Sequence, residues 1–516
     1  MPRASTHSFE VDGARSSTRT IDRYAIIPIL ACVYAAIVFP LIIVSCDPTD
    51  SVCLLQARPE SKIFWPVLAA VSVIWAARNY SRLTFPPHIV FLFAYLVLAG
   101  ASVLWAYKPE TSFIRFSQQA MIVTSIVVPA MLAAKKVDLV RGLFFCFAIA
   151  SILNIFFVIG RPPIDVKFAT WGYPGYFSGK NYLGECAAIT LLLSLHETLH
   201  PGRRRVLGIV IAVVAAVLLV LSNSKTSMGL VFLVPLLAGA TLLIRRATGI
   251  SPAIILLSIP VCWLVLTTLS GFSVYRLSSI LYGDPTFPGR SIIWDFVSSE
   301  IAHRPLLGWG YQSFWLVGPD APSIVNAPGW VKDMPNAHNG YLDAKVELGY
   351  AGYALLLAFI IATLHAIGRM ADRNLTRAWL VLALVLHIII TNGLESIWMR
   401  GFEMLWIVFV ILAAEIGRYW KPRLPARAAY VSRSPRAGSP KPGSPRPVSP
   451  RPASPRPGSS RPGSSRPHGS SRGAPRPAAS NARFYPVNGG KPAGATSPIP
   501  PTAPGIGEGI THGASD

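Results

Sequence analysis

Apolar runs of about 20 residues recur along the first 420 positions, each closed by a short polar connection. Since a bilayer core takes about 20 residues of helix, the runs predict spans near 24–45, 61–77, 88–107, 113–134, 139–159, 181–199, 206–221, 226–244, 253–270, 347–366, 377–392 and 402–420. The longest polar interruption, residues 271–346, separates the ninth span from the tenth. Within it Ile292, Ile293, Phe296, Val297 and Ile301 recur at helical spacing after Gly289, predicting an amphipathic helix along the membrane surface. Arg290 falls in its first turn, and Arg304 precedes the helix-ending Pro305. His338 lies eight residues before the apolar run starting at Val346, so it is expected at the mouth of the tenth span.

The pattern stops at Trp420. Residues 438–467 repeat a five-residue unit, GSPKP GSPRP VSPRP ASPRP GSSRP GSSRP, too rich in proline for helix or sheet. The expected organisation is a polar segment over 1–23, nine spans over 24–270, a large loop over 271–346, three more spans over 347–420, and a disordered tail over 421–516. The tail reads as a solvated linker that touches anionic lipid, or else as a partner-docking or phosphorylated segment.

Composition fits this reading. At 52% hydrophobic and 14% charged over 516 residues, the chain is too apolar for a soluble enzyme. The expected fold is an all-α polytopic membrane protein of about twelve transmembrane helices. No small-residue cleavage site follows the first apolar run, which is expected to stay as the first span. The net charge of +23 is mostly tail, because residues after Trp420 carry fifteen Lys and Arg against two acidic residues. Elsewhere Lys and Arg mark topology, and no nucleic-acid footprint is implied. Arg78 and Arg82, Lys135, Lys136 and Arg141, Arg203 to Arg205, Arg245 and Arg246, and Arg369, Arg373 and Arg377 each follow an even-numbered span. By the positive-inside bias both termini lie in the cytoplasm and the odd-numbered exits face outward.

Cys32, Cys146, Cys186 and Cys262 fall inside apolar runs and read as small core hydrophobes. Cys46 and Cys53 flank an outward loop, where a disulfide is a candidate.

The outward connections AYKPETSFIR, GYFSGKNYLGE, SNSKTS, the large loop and NGLESIWMRG carry cations against the topological bias, so each needs another reason to be there. Candidates are Arg290, Lys225, Lys180, Arg115 and Arg304, with His338 as the conspicuous histidine and His303 its nearest competitor. Glu395 either orients a catalytic cation or satisfies a local charge. Plainer readings stand beside these: Arg290 pairing with Asp295, His338 as a packing histidine, Lys225 snorkelling at the interface. One chemistry fits the set, displacement of a polyprenyl pyrophosphate from a sugar by a hydroxyl. That reaction needs cations for the departing charge and a base for the hydroxyl proton. Guanidinium suits the first role and imidazole the second. No DxD, paired-Asp or clustered His/Cys pattern occurs on this face, so no metal ligand set and no cofactor are implied.

The pairing of PGRSIIWDFVSSEIAHRPLLGWGYQSFW with NAHNGYLDAKVELGYAGYALLL, late in a chain of about a dozen spans, resembles the O-antigen ligase and polymerase superfamily, nearest its exopolysaccharide-polymerase branch. SVLWAYKPETSFIR, FSGKNYLGE, LSNSKTSMGL and NGLESIWMRGFEMLW resemble further landmarks in the same order, so the likeness covers roughly residues 90–415. The resemblance implies a metal-independent, inverting membrane glycosyltransferase that uses polyprenyl-pyrophosphate-linked oligosaccharide donors. Its acceptor would be a glycan or a lipid, its setting a bacterial inner membrane with the site on the periplasmic face, and its partners other polysaccharide assembly or export proteins. The family's large-loop arginine and histidine match Arg290 and His338; Lys225 stands where the family more often has arginine, and Lys180 and Asn181 match a frequent pair. Polymerase and ligase are not separable from the sequence. A flippase for lipid-linked oligosaccharide, given the mid-span Glu185, His196 and His387, and a noncatalytic scaffold remain as rivals.

Overall fold

The computed structural model describes residues 22–44, 46, 58–134, 138–160, 172–270, 276, 279–280 and 289–420. These all belong to one compact unit, Met1–Ala429. The N-terminal segment before Asp22, Cys53, the basic pair Lys135 and Lys136, and the Pro-rich tail lie outside the described residues. Cys46 is disulfide-bonded.

The described elements are all helical. In chain order the main helices are α1 (Arg23–Ile43), α2 (Pro59–Arg78), α3 (Pro87–Leu104), α4 (Pro109–Leu132), α5 (Leu139–Gly160), α6 (Lys180–Thr198), α7 (Arg203–Ser222), α8 (Lys225–Thr248) and α9 (Pro252–Ser270). They continue with α10 (Arg290–His303), α11 (Gly340–Ala371), α12 (Leu375–Thr391) and α13 (Met404–Arg418). Each of the twelve apolar runs coincides with one of these helices. Among the described residues, nine are long and apolar enough to cross a membrane: α1 to α5, α7 to α9 and α11. The remaining three, α6, α12 and α13, are shorter or more polar because they are packed in protein. α13 buries every residue from Met404 to Arg418. Its 15 residues rise only about 22 Å, and a helix apolar on all sides belongs at the centre of a bundle. α9, by contrast, buries only Pro252, Ala253 and Leu256 and lies at the periphery.

Irregular backbone within the spans is re-satisfied by side chains, as an apolar environment requires. Pro40 cannot donate to the Ala36 carbonyl four residues earlier, and α1 opens into a π turn over Tyr34–Val38. The buried Tyr176 hydroxyl donates to that carbonyl at 2.7 Å.

The loop ahead of α11 has a core of its own. Ile293, Phe296, Val297 and Ile301 of α10 pack with Phe314, Trp315, Val331, Ala337 and Val346. The predicted helix is therefore present with Arg290 at its start, but its buried face turns to this small core and Ile292 is exposed.

α11 begins at Gly340, earlier than the apolar run at Val346, and is broken at Gly349 (φ 63°, ψ −164°). The segment 305–310 crosses the break. Trp309 and Gly310 donate N–H to the carbonyls of Val346 and Glu347, while Tyr350 and Ala351 donate to those of Pro305 and Leu306. The approach is so close that a Cβ on Gly349 would lie 2.2 Å from the Leu306 carbonyl carbon, and one on Gly308 2.5 Å from that of Glu347. Only glycine fits these two positions.

Candidate functional site

The loop joining α12 to α13 is wound on Asn392, whose side-chain oxygen accepts the N–H groups of Ile397 and Trp398. This loop grips the turn before α11: Gly340 donates to the Asn392 and Glu395 carbonyls, and Asn339 N–H donates to Ser396 Oγ. Asn339 also caps α11 by accepting from Tyr341 and Leu342. A side chain at 340 would strike Asn392 Oδ1 at 2.4 Å, so Gly340 lets the two segments close. Between them His338 takes a left-handed φ of 47°, and its own N–H is held by Asn336 Oδ1 at 2.9 Å. Such a conformation costs energy for histidine and persists only where its surroundings impose it.

The winding brings three distant residues onto one carboxylate. Glu395 Oε2 accepts from His338 Nδ1 at 3.2 Å, and Oε1 accepts from Arg290 at 2.9 Å and from Asn181 Nδ2 at 3.1 Å. Burial pushes the Glu395 carboxyl up, but the His338 hydrogen bond and the Arg290 charge outweigh it and hold the group below its usual range. Glu395 is thus an anion at neutral pH, and an imidazole that donates Nδ1–H to it carries its lone pair on Nε2. The His338 side chain is 33% exposed.

Lys180 and Asn181 form the first turn of α6, so Lys180 adjoins the Glu395 cluster through its neighbour. Lys225 opens α8 and is exposed. Its preceding residue, Ser224, touches α6 at Gly184, one turn below Asn181. Arg115 belongs elsewhere: its guanidinium donates to the Gln312 carbonyl at 2.5 Å, in a second network. Arg304 stacks on Trp309 at 4.2 Å and donates to the Trp105 carbonyl. His303 pairs with Glu300, and its side chain is 65% exposed.

The second network underlies the histidine and was not read from the sequence. Arg400 pairs with Asp343 at 3.1 Å and with Glu347 at 2.9 Å, two acids one helical turn apart on α11. Asp343 Oδ1 accepts the Ala337 N–H and the Trp315 indole N–H, so it fixes the residue immediately before His338. Trp294 Nε1 donates to the Ala337 carbonyl from the other side. Signals existed in the letters. Arg400 is another cation in an outward connection, and Asp343 and Glu347 sit four residues apart at the predicted entry to the tenth span.

Tyr182 and Glu403 were missed too, and the tyrosine hydroxyl donates to the carboxylate at 3.2 Å. Burial raises the Glu403 carboxyl to about 7, with the nearby Glu395 charge adding to it and the Tyr182 bond and Arg400 charge opposing. A carboxyl raised in the folded state binds more protons than the unfolded chain between about pH 4.3 and 7, so stability falls as pH rises through that window and levels off above it. Glu403→Gln is expected to remove this fall. The variant should melt above the wild type at pH 8 and close to it at pH 4.5; parallel melting curves at both pH values would contradict the burial of this acid.

Among the described residues, one group gathers three metal-ligating side chains, His196, Glu197 and His200. It lies at the far end of α6, about 23 Å along the helix from Asn181. Both Glu197 oxygens are taken by Arg204, at 2.8 Å and 2.5 Å, which makes this a charge network first.

Residues 210–357 match the family model described as O-Antigen ligase. That stretch contains Lys225, Arg290 and His338; Arg115, Lys180, Asn181 and Glu395 fall outside it. The chain is 25% identical over 289 residues to the exopolysaccharide production protein ExoQ of Rhizobium meliloti (strain 1021), covering 53% of this chain and 63% of ExoQ. Over 96 residues it is 29% identical to a Rickettsia felis protein provisionally named a polysaccharide ligase, 18% of this chain and 24% of that protein. A Rickettsia conorii protein of the same provisional name is 30% identical over 92 residues, 17% of this chain and 22% of that protein. The chain therefore spans less than two thirds of the length of each of these relatives. The likeness to O-antigen ligases and to an exopolysaccharide production protein is the one the sequence motifs point to.

Proposed function

We propose that this membrane protein is a glycosyltransferase that joins oligosaccharide units carried on polyprenyl pyrophosphate, in exopolysaccharide or O-antigen assembly. The observation that carries the reading is Glu395 bracketed by His338 and Arg290, an imidazole and a guanidinium held 3.2 Å and 2.9 Å from one carboxylate. His338 Nε2 takes the proton of the acceptor hydroxyl as its oxygen bonds to the anomeric carbon. The bond from that carbon to the pyrophosphate oxygen breaks in the same displacement, which inverts the anomeric centre. Arg290, Lys225 and Lys180 stabilise the departing carrier pyrophosphate, which leaves as an anion. Because these cations neutralise the leaving group, no metal is required. Glu395 keeps Nδ1 of His338 protonated and stabilises the imidazolium that forms. Arg115 then serves the loop beneath the site more than the phosphates.

The basic connections at the other end of the bundle, Arg203 to Arg205 and Arg245 with Arg246, support a cytoplasmic position for that end and a periplasmic face for the site. The membrane is then the bacterial inner membrane, with both termini in the cytoplasm.

The test is transfer by the purified full-length protein in lipid nanodiscs, given a polyprenyl-pyrophosphate-linked oligosaccharide. The expected result is a longer glycan and free carrier pyrophosphate, with no change on adding EDTA. Movement of labelled carrier across the bilayer of proteoliposomes with no new glycosidic bond would replace the reading with a flippase. In a deletion strain, single units left on the carrier identify a polymerase and full-length chains left on it identify a ligase.

A further inference from the structure

Four tryptophans around the large loop hold their indole N–H groups on the protein. Trp105 donates to the Leu307 carbonyl, Trp294 to Ala337, Trp309 to Glu300, and Trp315 to the Asp343 carboxylate. Trp294, Trp309 and Trp315 also pack in the loop's small core. Among the described residues Trp330 does neither. It is 45% exposed, takes no part in that core, and rides on the single helical turn Gly329–Asp333.

Two carbons of its six-membered ring lie beside Gly289, where a Cβ would come within 3.3 Å and 3.5 Å of them. Gly289 has a φ of 78° and caps the helix whose first residue is Arg290. A partly exposed indole therefore stands beside the residue that precedes Arg290, whose guanidinium pairs with Glu395 at 2.9 Å. Burying an indole in the small core only a few residues away would remove apolar surface from water. Leaving it exposed beside a polar, charged site gives a ligand with one apolar face something to cover.

A pyranose is such a ligand, with axial C–H groups on one face and hydroxyls around its rim. Stacking on an aromatic ring tolerates varied hydroxyl patterns, as it tolerates varied bases in nucleic-acid clefts. Resting on the transferase reading above, we propose that Trp330 is a stacking platform for a sugar ring of the acceptor, next to the residue that holds the donor's pyrophosphate.

The probe is a set of carrier-free oligosaccharides of one to three repeats, cut from the polysaccharide secreted by cells that carry the gene. Two measurements use full-length protein in nanodiscs: calorimetric binding of the oligosaccharide without donor, and KM and kcat for it as acceptor. Trp330→Ala is expected to weaken binding and raise acceptor KM about tenfold while kcat stays within about twofold. Trp330→Phe should recover to within about threefold, and Trp330→Leu should behave like alanine. If leucine restores as well as phenylalanine, Trp330 only packs and the proposal is overturned. An unchanged KM in Trp330→Ala overturns it as well, and is what an indole serving as a membrane anchor would give. Wild-type protein that binds the oligosaccharide through Trp330 yet forms no glycosidic bond would sink the transferase reading and leave the platform standing. Absence of binding to the wild type removes the platform.

Discussion

His338→Ala is expected to lower the rate of glycan transfer about 10²- to 10⁴-fold at unchanged protein level, the usual range for losing a positioned general base. The size follows from how much surrounds this one imidazole. Its Nδ1 is committed to Glu395, its backbone is held in the left-handed region by Asn336, and the flanking Ala337 and Asn339 are fixed by Asp343 and Ser396. A packing histidine needs none of this. Because alanine fits poorly at positive φ, part of its effect could come from the turn, so His338→Asn is the sharper variant: asparagine tolerates that conformation but cannot act as a base. Both should be equally inactive in the purified transfer assay, and His338→Asn should melt close to the wild type. A rate within tenfold of wild type for His338→Asn would remove the imidazole from the mechanism. Glu395→Gln should fall between, since an amide still accepts from Nδ1 but stabilises no imidazolium.

Arg400→Leu is expected to unfold the site altogether. The Arg400 side chain is 18% exposed, while Asp343 and Glu347 beneath it are 3% and 4% exposed, so its removal strands two buried acids without the guanidinium that pairs with both. Breaking a buried pair from one side costs about 3–5 kcal/mol. Asp343 also holds the turn before His338, so the loss reaches that histidine. Melting temperature and yield after detergent extraction should both drop sharply. Arg400→Leu combined with Asp343→Asn and Glu347→Gln should recover much of the stability and little of the transfer, because the neutral side chains no longer need a cation but bind Ala337 and Trp315 less firmly. Recovery of full activity in the triple variant would show that the charges are dispensable.

The helices were legible because their signals are local: twelve of the thirteen can be found by asking where about 20 residues are mostly apolar, and α10 by the spacing of its apolar stripe. The start of α11 was not, since Asn339 and Gly340 are polar or small and only the cap on Tyr341 and Leu342 draws the helix back to them. The same limit governs the site. His338 and Arg290 stand out as cations and bases on the outward side, yet their meeting point is Glu395, 57 and 105 residues further on. No spacing rule spans that distance. Arg115 looked equivalent to the other outward cations and ended on the Gln312 carbonyl, because a guanidinium will satisfy a loop backbone as readily as a phosphate. Ile292 matched the helical stripe, but the core beside α10 takes Ile293 and leaves its neighbour outside.

The break in α11 has a bearing on how proteins of this build can diversify. Residues 305–310 lend their N–H and carbonyl groups to a span interrupted at Gly349, so that part of the large loop is structurally a piece of the helix. Grafting a foreign loop across it would leave peptide groups of a span unmatched, whatever the graft's own merits. The stretch from Gly318 to Met334 lies outside this stitching, so a graft there would leave the span's peptide groups matched as long as Val331 and Met334 are still replaced by side chains that fill the small core.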